Sequence, residues 1–276
     1  RILKGVLQHH RETKGVKKIM IFETHAHYDD ERFEEDRDAL ITSMPERGVG
    51  TIINVGASIE STKTTLALSE KYPFVYAAVG VHPSDISGLN EETFAWLREQ
   101  TKKEKVVAVG EIGLDYYWDK EPEVQKQQRY WFAEQMKLAR EASLPVIIHS
   151  RDAAADTVEV MKSVHAEEIP GVIHCYSYSK EMAQEFIKMG YYIGVGGVVT
   201  FKNAKKLKET VQEIPLERIL LETDCPYMAP EPHRGERNDS SYIPFVIEKI
   251  AELRGITPEE VEQATRENAE RLFGKG

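Results

Sequence analysis

Eight short apolar runs, separated by longer amphipathic stretches, dominate the sequence from residue 20 onwards. The runs are rich in valine and isoleucine and mostly lack polar alternation, which is typical of parallel strands buried on both faces. The predicted strands are Ile19–Thr24, Thr51–Gly56, Val75–Val81, Val106–Glu111, Pro145–His149, Gly171–Cys175, Tyr191–Val195 and Arg218–Asp224. Eight strand–helix units match a (β/α)8 barrel, which takes about 250 residues. The pattern therefore predicts an α/β fold, a single TIM barrel, regular or distorted, with a doubly wound open sheet as the alternative.

The stretches between the apolar runs have helical periodicity, and several carry helix start signals. The predicted helices span residues 32–46, 60–71, 91–103, 122–142, 152–167, 180–189 and 203–213, followed by a helical tail over 242–272. Asn90 precedes two glutamates, and Thr257–Pro258 precedes Glu260 with the spacing of a capping box. No linker rich in proline, glycine or serine divides residues 20–276. We therefore expect these residues to form one domain.

The first 19 residues differ in charge from the remainder of the chain. They hold six of the 36 lysines and arginines and one of the 46 acidic residues, which leaves 30 basic and 45 acidic residues. Residues 20–276 thus carry a net charge of −15. We interpret residues 1–19 as a basic leader, a tag or upstream segment outside the barrel. The acidic body disfavours extended non-specific binding to nucleic acid, because it repels polyanions at long range.

Composition also excludes two classes of protein. Two cysteines in 276 residues are too few for a disulfide-built secreted scaffold. No apolar run approaches the roughly 20 residues that span a bilayer. We therefore expect a cytoplasmic protein without membrane contact, and a monomer.

Histidines and acidic residues collect at the ends of the predicted strands. In a barrel, catalytic residues come from the C-terminal ends of several strands, so these side chains should meet at one mouth. His25 and His27 are two residues apart, so an extended chain directs both imidazoles to one face. Buried carboxylates after apolar strands are costly unless they are paired or bind a metal. The predicted metal ligands are His25, His27, Glu111, His149, His174 and Asp224.

Six ligands exceed the four that one tetrahedral zinc takes, so we predict two divalent ions, which could be Zn, Mg or Mn. Glu111 is the expected bridge. We assign His25, His27, Glu111 and Asp224 to one ion, and Glu111, His149 and His174 to the other. A divalent ion lowers the pKa of a water bound to it, so that the water becomes a nucleophile at neutral pH. We expect Asp224 to act as the general base that accepts the proton of this water.

Other residues near the strand ends have predicted supporting roles. Glu23 and Glu222 share the inward face with the ligands and are expected to orient imidazoles or accept protons. Cys175 and Cys225 follow predicted ligands directly, so strand alternation points them away from the site. We expect both to be buried thiols. Strands two and seven end in glycines, which leave room at the mouth.

Basic and aromatic residues on the same side of the barrel suggest the substrate. Arg151, Arg234, Arg237, Lys202 and His82 follow strand ends, and an arginine fork holds phosphate bidentately. Surface arginines that only solvate loops are the alternative. Three aromatic residues after Glu111 could form a stacking wall for a base or sugar, or could be ordinary cover for the rim. They are Tyr116, Tyr117 and Trp118.

The chain resembles the TatD-type metal-dependent deoxyribonucleases, a branch of the amidohydrolase-like barrel hydrolases. The segments that carry the resemblance are Glu23–His27, Gly80–Pro83, Gly110–Tyr117, His149–Ala153, His174–Ser177, Gly196–Lys202, Glu222–Pro230 and Arg234–Asn238. The resemblance implies a divalent-metal phosphodiesterase with 3′→5′ exonuclease activity on DNA, and metal ligands at the six positions given above. It also implies that His82 and Arg151 hold the phosphate.

Two positions depart from the family pattern, and a third supports the assignment to this branch. Glu23 stands where the family usually has Asp, and Tyr178 stands where many members have Gly. Relatives in the wider hydrolase class bridge their metals with a carboxylated lysine after strand four. Glu111 occupies that place here, which favours the TatD-type branch.

The leading hypothesis is a deoxyribonuclease that trims single-stranded ends or short substrates, with Asp224, Glu111 and His82 as catalytic residues and Arg151, His82 and Arg237 binding the substrate. A hydrolase of esters or amides, such as aminoacyl-tRNA, is the alternative, because the same activated water attacks a carbonyl. A third hypothesis is a non-enzymatic binding module with structural metals. Structural zinc sites are closed four-ligand shells, which disfavours it.

Overall fold

A computed structural model of the protein describes residues 20–274. Its eight strands are all parallel to their neighbours and follow one another in chain order around a single sheet. They are β1 (Ile21–Ala26), β2 (Val49–Val55), β3 (Val75–Val79), β4 (Val106–Asp115), β5 (Val146–Arg151), β6 (Gly171–Ile173), β7 (Tyr192–Val195) and β8 (Ile219–Leu221). This order is that of a TIM barrel and not of a doubly wound sheet, whose strand order reverses.

The barrel closes where the ends of β1 and β8 meet. The Thr24 hydroxyl donates to the carbonyl of Leu221 at 2.9 Å. Beyond β8, the backbone N–H of Asp224 donates to the carbonyl of His25, and that of His27 donates to the carbonyl of Cys225, both at 2.9 Å. The predicted (β/α)8 barrel is therefore confirmed, and its seam lies beside two predicted metal ligands.

Helices alternate with the strands and lie outside them. They are α1 (Arg37–Ser43), α2 (Ile59–Lys71), α3 (Glu91–Gln100), α4 (Pro122–Ala142), α5 (Ala154–Ser163), α6 (Lys180–Lys188), α7 (Lys205–Glu213), α8 (Ile243–Arg254) and α9 (Pro258–Phe273). Short 3-10 helices occupy several loops: Glu31–Phe33, Pro83–Gly88, Ala166–Glu168, Gly197–Thr200, Leu216–Arg218 and Ser240–Tyr242. The helix nearest each strand buries its apolar face against the barrel.

The predicted helical tail over 242–272 is wrong in one respect, because it is two helices. Gly255 ends α8 in the left-handed conformation, with φ of 66°. Thr257 then begins α9, where its hydroxyl and the Glu260 side chain form a reciprocal capping box. Glycine adopts positive φ without a Cβ penalty, so the chain turns there and a new helix starts.

Several strand ends differ from the prediction, and three of them change the setting of site residues. β4 continues past Glu111 to Asp115, while β6 and β8 end before His174 and Asp224. These last two ligands therefore lie in loops. The backbone of Asp224 has φ of 57°, a left-handed conformation that ends regular strand geometry.

The floor of the barrel is made by α9. Leu272 and Phe273 belong to a buried cluster with strand residues, and the Phe273 ring lies 6.2 Å from that of Phe22 between centroids. Arg266 donates to the carbonyl of Met20 at 2.7 Å, and Asn268 donates to that of Ile219. Helix α9 thus covers the N-terminal ends of the strands and leaves the C-terminal mouth open.

The predicted basic leader, residues 1–19, lies outside the described residues. Among the helices described between residues 20 and 274, none has both the length and the apolar character of a membrane span.

Candidate metal centre

The six predicted ligands meet at the C-terminal mouth of the barrel. They come from β1, β4 and β5 and from the loops after β6 and β8, and line a cavity of about 850 Å³, except that His25 lies beneath it. The Nε2 atoms of His25 and His27 are 3.0 Å apart, as expected for two imidazoles on one face of a strand. The rings of His25 and His174 stack, with centroids 3.5 Å apart.

The Glu111 carboxylate lies between two groups of imidazoles. Its Oε2 is 3.3 Å from Nε2 of His25 and 3.5 Å from Nε2 of His27. Its Oε1 is 2.9 Å from Nδ1 of His149 and 3.6 Å from Nε2 of His174. Each oxygen therefore faces a separate pair of nitrogens, which is the arrangement expected of a carboxylate that bridges two ions.

Asp224 lies near the first pair of imidazoles, His25 and His27, and also near His174 of the second pair. Its Oδ1 lies 3.4 Å from Nε2 of His27 and 3.7 Å from Nε2 of both His25 and His174. Its side chain is partly open to the cavity. Asp224 can therefore contact a cation in the first group and a solvent molecule at the same time.

His82 lies at the same mouth. Its Nε2 is 3.7 Å from Oε1 of Glu111. Its Nδ1 accepts the backbone N–H of Ser84, at the start of the 3-10 helix that follows β3. Burial, and then the neighbouring His149, lower the pKa of His82 to about 3. The ring is neutral at pH 7, and since Nδ1 is an acceptor, the proton is on Nε2 and faces the cavity.

Buried groups behind the ligands orient the imidazoles of His174 and His27. Nδ1 of His174 lies 3.1 Å from Oε2 of Glu222, and Nδ1 of His27 lies 2.9 Å from the carbonyl of Val55. A Cβ on Gly194 of β7 would lie 2.4 Å from the Glu222 carboxylate, so any larger residue there would displace that carboxylate. The contact between Glu222 and His174 is the one expected if Glu222 orients that imidazole.

Of the two roles expected of Glu23, orienting an imidazole or accepting a proton, the first has no matching contact among the described residues. Its carboxylate accepts the backbone N–H groups of His25 and Thr223 and the hydroxyls of Thr223 and Ser240. It makes no hydrogen bond to an imidazole among the described residues. Glu23 therefore ties β1 to the segment after β8, and the contact supports the backbone on which His25 lies.

Asp115 contacts a predicted ligand and is absent from the residues predicted from the sequence. Its Oδ2 lies 2.9 Å from Nε2 of His149, whose other nitrogen faces Glu111. Asp115 is four residues beyond Glu111, so strand alternation places both on one face once β4 is known to extend that far. Between them, Gly113 has φ of 144°, and a Cβ there would lie 1.9 Å from the carbonyl of His149.

The two cysteines have different surroundings. Cys225 is fully buried, as expected. The prediction that Cys175 points towards the helices is wrong, because this residue lines the cavity, within 4.8 Å of ligand atoms of His174 and Asp224. The reason is local: β6 ends at Ile173, and Cys175 has φ of 45°, so alternation does not continue to it.

The predicted phosphate-binding residues separate into two groups. Arg151 and Arg234 line the cavity, with their guanidinium groups over the rings of Tyr117 and Phe201. Arg237 does not line it. Its guanidinium forms a two-pronged ion pair with Asp36, at 2.6 and 2.8 Å.

The donor set fits divalent cations. Burial alone would lower the pKa of His174, yet the facing carboxylates of Glu222, Glu111 and Asp224 raise it to about 9. These carboxylates therefore hold a proton on the imidazole when no other cation is near. A divalent ion can supply that positive charge, and imidazole with carboxylate is a donor set for zinc or manganese.

Comparison with known proteins agrees with this geometry. The family model described as TatD related DNase matches residues 22–274. The chain belongs to the TatD-related DNase family. Its members include metal-dependent hydrolases, and this establishes the family that the sequence motifs indicated.

Individual relatives cover nearly the whole chain. The uncharacterized metal-dependent hydrolase YabD of Bacillus subtilis is 47% identical over 255 residues, which are 92% of this chain and 99% of that protein. The 3'-5' ssDNA/RNA exonuclease TatD of Cronobacter sakazakii is 35% identical over 251 residues, 88% of this chain and 94% of that protein. The chain is also similar to the crystal structure of YjjV, a TatD homologue from Escherichia coli K12, with a TM-score of 0.88 and 34% sequence identity. The match covers 94% of this chain and all of that chain.

Proposed function

We propose that the protein is a two-metal phosphodiesterase that removes nucleotides from the 3′ end of single-stranded DNA. The observation that carries the metal mechanism is the position of Glu111, whose two oxygens face two separate pairs of imidazoles. The TatD family membership and the exonuclease name of the Cronobacter sakazakii relative support the substrate class. Two arginines beside the ligands provide positive charge for a phosphate.

We propose that the ligands divide between two ions. His25, His27 and Asp224 would hold one ion together with Glu111, and His149 and His174 would hold the other together with Glu111. Divalent ions bound in this way lower the pKa of water and neutralise charge on a phosphoryl oxygen. The candidate ions are Zn, Mg and Mn.

Protein groups around the ligands supply the remaining chemistry. The Asp224 carboxylate is open to the cavity and is placed to accept a proton from the attacking water. His82 is neutral with its proton on Nε2, so it is placed to donate a hydrogen bond to a non-bridging phosphate oxygen. Arg151 provides a fixed positive charge on the same side. Arg237 has a partner in Asp36, so its predicted contact with substrate would require that ion pair to open.

One assay separates this proposal from ester or amide hydrolysis. The purified protein is reconstituted with Zn, Mg or Mn and offered 3′-labelled and 5′-labelled single strands beside an aminoacyl ester. We expect stepwise shortening from the 3′ end, with close to two ions per chain by elemental analysis. Cleavage of the ester alone, or activity that persists after chelation, would overturn the proposal.

The variant Asp224→Asn tests the proton acceptor. We expect turnover to be lost, because an amide neither accepts the proton nor carries the negative charge that balances a cation. The melting temperature of the metal-free protein is the control, and it should stay close to that of the wild type. Retained turnover would remove Asp224 from the mechanism.

A further inference from the structure

Exposed aromatic side chains stand at the rim of the metal centre. Trp118 is 68% exposed and Tyr117 is 43% exposed, and both lie within three residues of the end of β4. Trp118 lines the same cavity as the ligands. When a flat ligand covers a large apolar ring that is exposed to water, the burial of apolar surface favours binding.

The backbone of this aromatic pair is fixed to the metal centre. Oδ1 of Asp115 accepts the backbone N–H groups of Tyr117 and Trp118, both at 3.0 Å. Oδ2 of the same carboxylate lies 2.9 Å from Nε2 of His149. One side chain therefore sets the position of a metal ligand and of the aromatic rim, so the rim lies at a defined place relative to the ions.

Arg151 adds a flat cation to the rim. Its guanidinium carbon lies 4.0 Å from the centroid of the Tyr117 ring and 5.8 Å from that of Trp118. Arginine stacked on an aromatic ring is held flat and keeps its N–H groups free at the edge. The rim thus combines stacking surfaces for a base with donors for the phosphate beside it.

A second exposed pair lies on another side of the cavity. Tyr227 and Met228, which follow β8, are both exposed and line the cavity. Tyr227 is held by Arg32, 4.2 Å from its ring, and its hydroxyl donates to Asp30 at 3.0 Å. The opening to the metal centre is therefore bordered by two fixed aromatic groups.

We propose that Trp118, with Tyr117 and Arg151, is a stacking platform for the unpaired bases next to the phosphodiester bond that is cut. This inference rests on the proposed nuclease function and adds to it the residues that hold the unpaired bases beside the metal centre. Aromatic stacking accepts any base, because every base has a π face, and it requires that face to be free. Inside a duplex both faces of each base are covered by neighbouring base pairs, and at a paired end only the outer face of the last pair is free, so a duplex offers the platform less stacking surface than a single strand does.

The test pairs a change in the enzyme with a change in the substrate. Trp118→Ala is compared with wild type on single-stranded DNA with ordinary bases and on the same strand with two abasic nucleotides at the 3′ end. We expect the variant to raise KM about tenfold on the ordinary strand. On the abasic strand we expect wild type and variant to be equal. Trp118→Phe should restore most of the loss, since phenylalanine retains a stacking face.

The control variant is Tyr130→Ala. Tyr130 is an exposed aromatic residue on α4 that does not line the cavity. Tyr130→Ala should leave KM unchanged on both the ordinary and the abasic strand. Equal KM values for wild type and Trp118→Ala on the ordinary strand would overturn the platform while leaving the nuclease function intact. Failure of the wild type to cut either strand would instead overturn the proposed function on which the platform depends.

Binding gives an independent readout. In the Asp224→Asn background, single-stranded DNA should quench tryptophan fluorescence, and the added change Trp118→Phe should remove most of the quenching. Trp96 and Trp131 remain in both proteins and provide the baseline. Quenching that is unchanged by Trp118→Phe would contradict stacking on this residue.

Discussion

Asp115 is placed to control the protonation of a predicted metal ligand, His149. Nδ1 of His149 faces Glu111, so it must be unprotonated to bind a cation. The Asp115 carboxylate accepts the proton of Nε2 and thereby fixes that tautomer. Asp115→Asn would present an amide donor or a weaker acceptor to Nε2. We expect about a 10- to 100-fold loss of affinity for one of the two ions, measured by metal titration calorimetry.

The control for this prediction is Asp156→Asn. Asp156 is a partly buried carboxylate on the neighbouring α5 that pairs with Arg129 and Tyr116, away from the ligands. It should leave metal affinity unchanged. An Asp115→Asn protein that still binds two ions with wild-type affinity would show that His149 does not need this partner.

Gly194 gives a second test at the scale of single residues. A Cβ on this residue would lie 2.4 Å from Oε2 of Glu222, the oxygen that contacts Nδ1 of His174. Gly194→Ala should therefore displace the Glu222 carboxylate and weaken the binding of one ion. Gly88→Ala is the matched control, because a Cβ on Gly88 has open space and its φ is not positive. Isothermal titration of both variants with Mn or Zn measures the difference, and equal affinities would contradict the argument.

At the scale of elements, α9 closes the end of the barrel opposite the metal centre. Phe273 packs on Phe22 and lies in the buried cluster of the barrel interior. Phe273→Ala should lower the free energy of unfolding by about 3 kcal/mol, as large-to-small changes of buried aromatic residues do. Metal affinity should remain at the wild-type value, because the change is at the far end of the strands.

Urea unfolding followed by circular dichroism measures this change. Gln263→Ala, an exposed position on the same helix, should alter the free energy of unfolding by less than about 0.5 kcal/mol. If Phe273→Ala were no more destabilising than Gln263→Ala, α9 would not be a structural floor.

The sequence predicted the elements better than their ends. Eight apolar runs were sufficient for eight strands, because strands buried on both faces must be apolar throughout. The ends depend on backbone conformation, which a hydrophobic pattern does not report. The extension of β4 to Asp115 and the left-handed backbone of Cys175 are two such cases. These two residues account for the missed imidazole partner and the wrongly placed thiol.

At the scale of the whole molecule, the candidate site was predictable because the barrel imposes a rule on distant residues. His25 and Asp224 are far apart in sequence, but parallel strands bring their C-terminal ends to one mouth. The position of a long side chain does not follow from that rule. Arg237 was predicted to bind substrate from its loop position, and its ion pair with Asp36 depends on a contact between two loops.

The net charge of the protein predicts a difference in affinity between duplex and single-stranded DNA. Residues 20–276 carry a net charge of −15, so phosphate attraction is confined to a few groups at the mouth, such as Arg151 and Arg234. Affinity for a long internal stretch of duplex should be weak, with a Kd in the range of about 10⁻⁴ M or above at 150 mM salt. Single strands with a free 3′ end should bind more tightly, because their terminal phosphates and bases can enter the cavity.

Fluorescence anisotropy of the Asp224→Asn variant compares a 50-base-pair duplex with closed hairpin ends, a free single strand and a circular single strand, at two salt concentrations. We expect the order free strand, circular strand, duplex. Removing the end should cost more affinity than tripling the salt, since binding depends on local contacts and not on long-range attraction. Tight duplex binding that is insensitive to salt would mean that the acidic body does not repel DNA, and that recognition extends over a surface other than the barrel mouth.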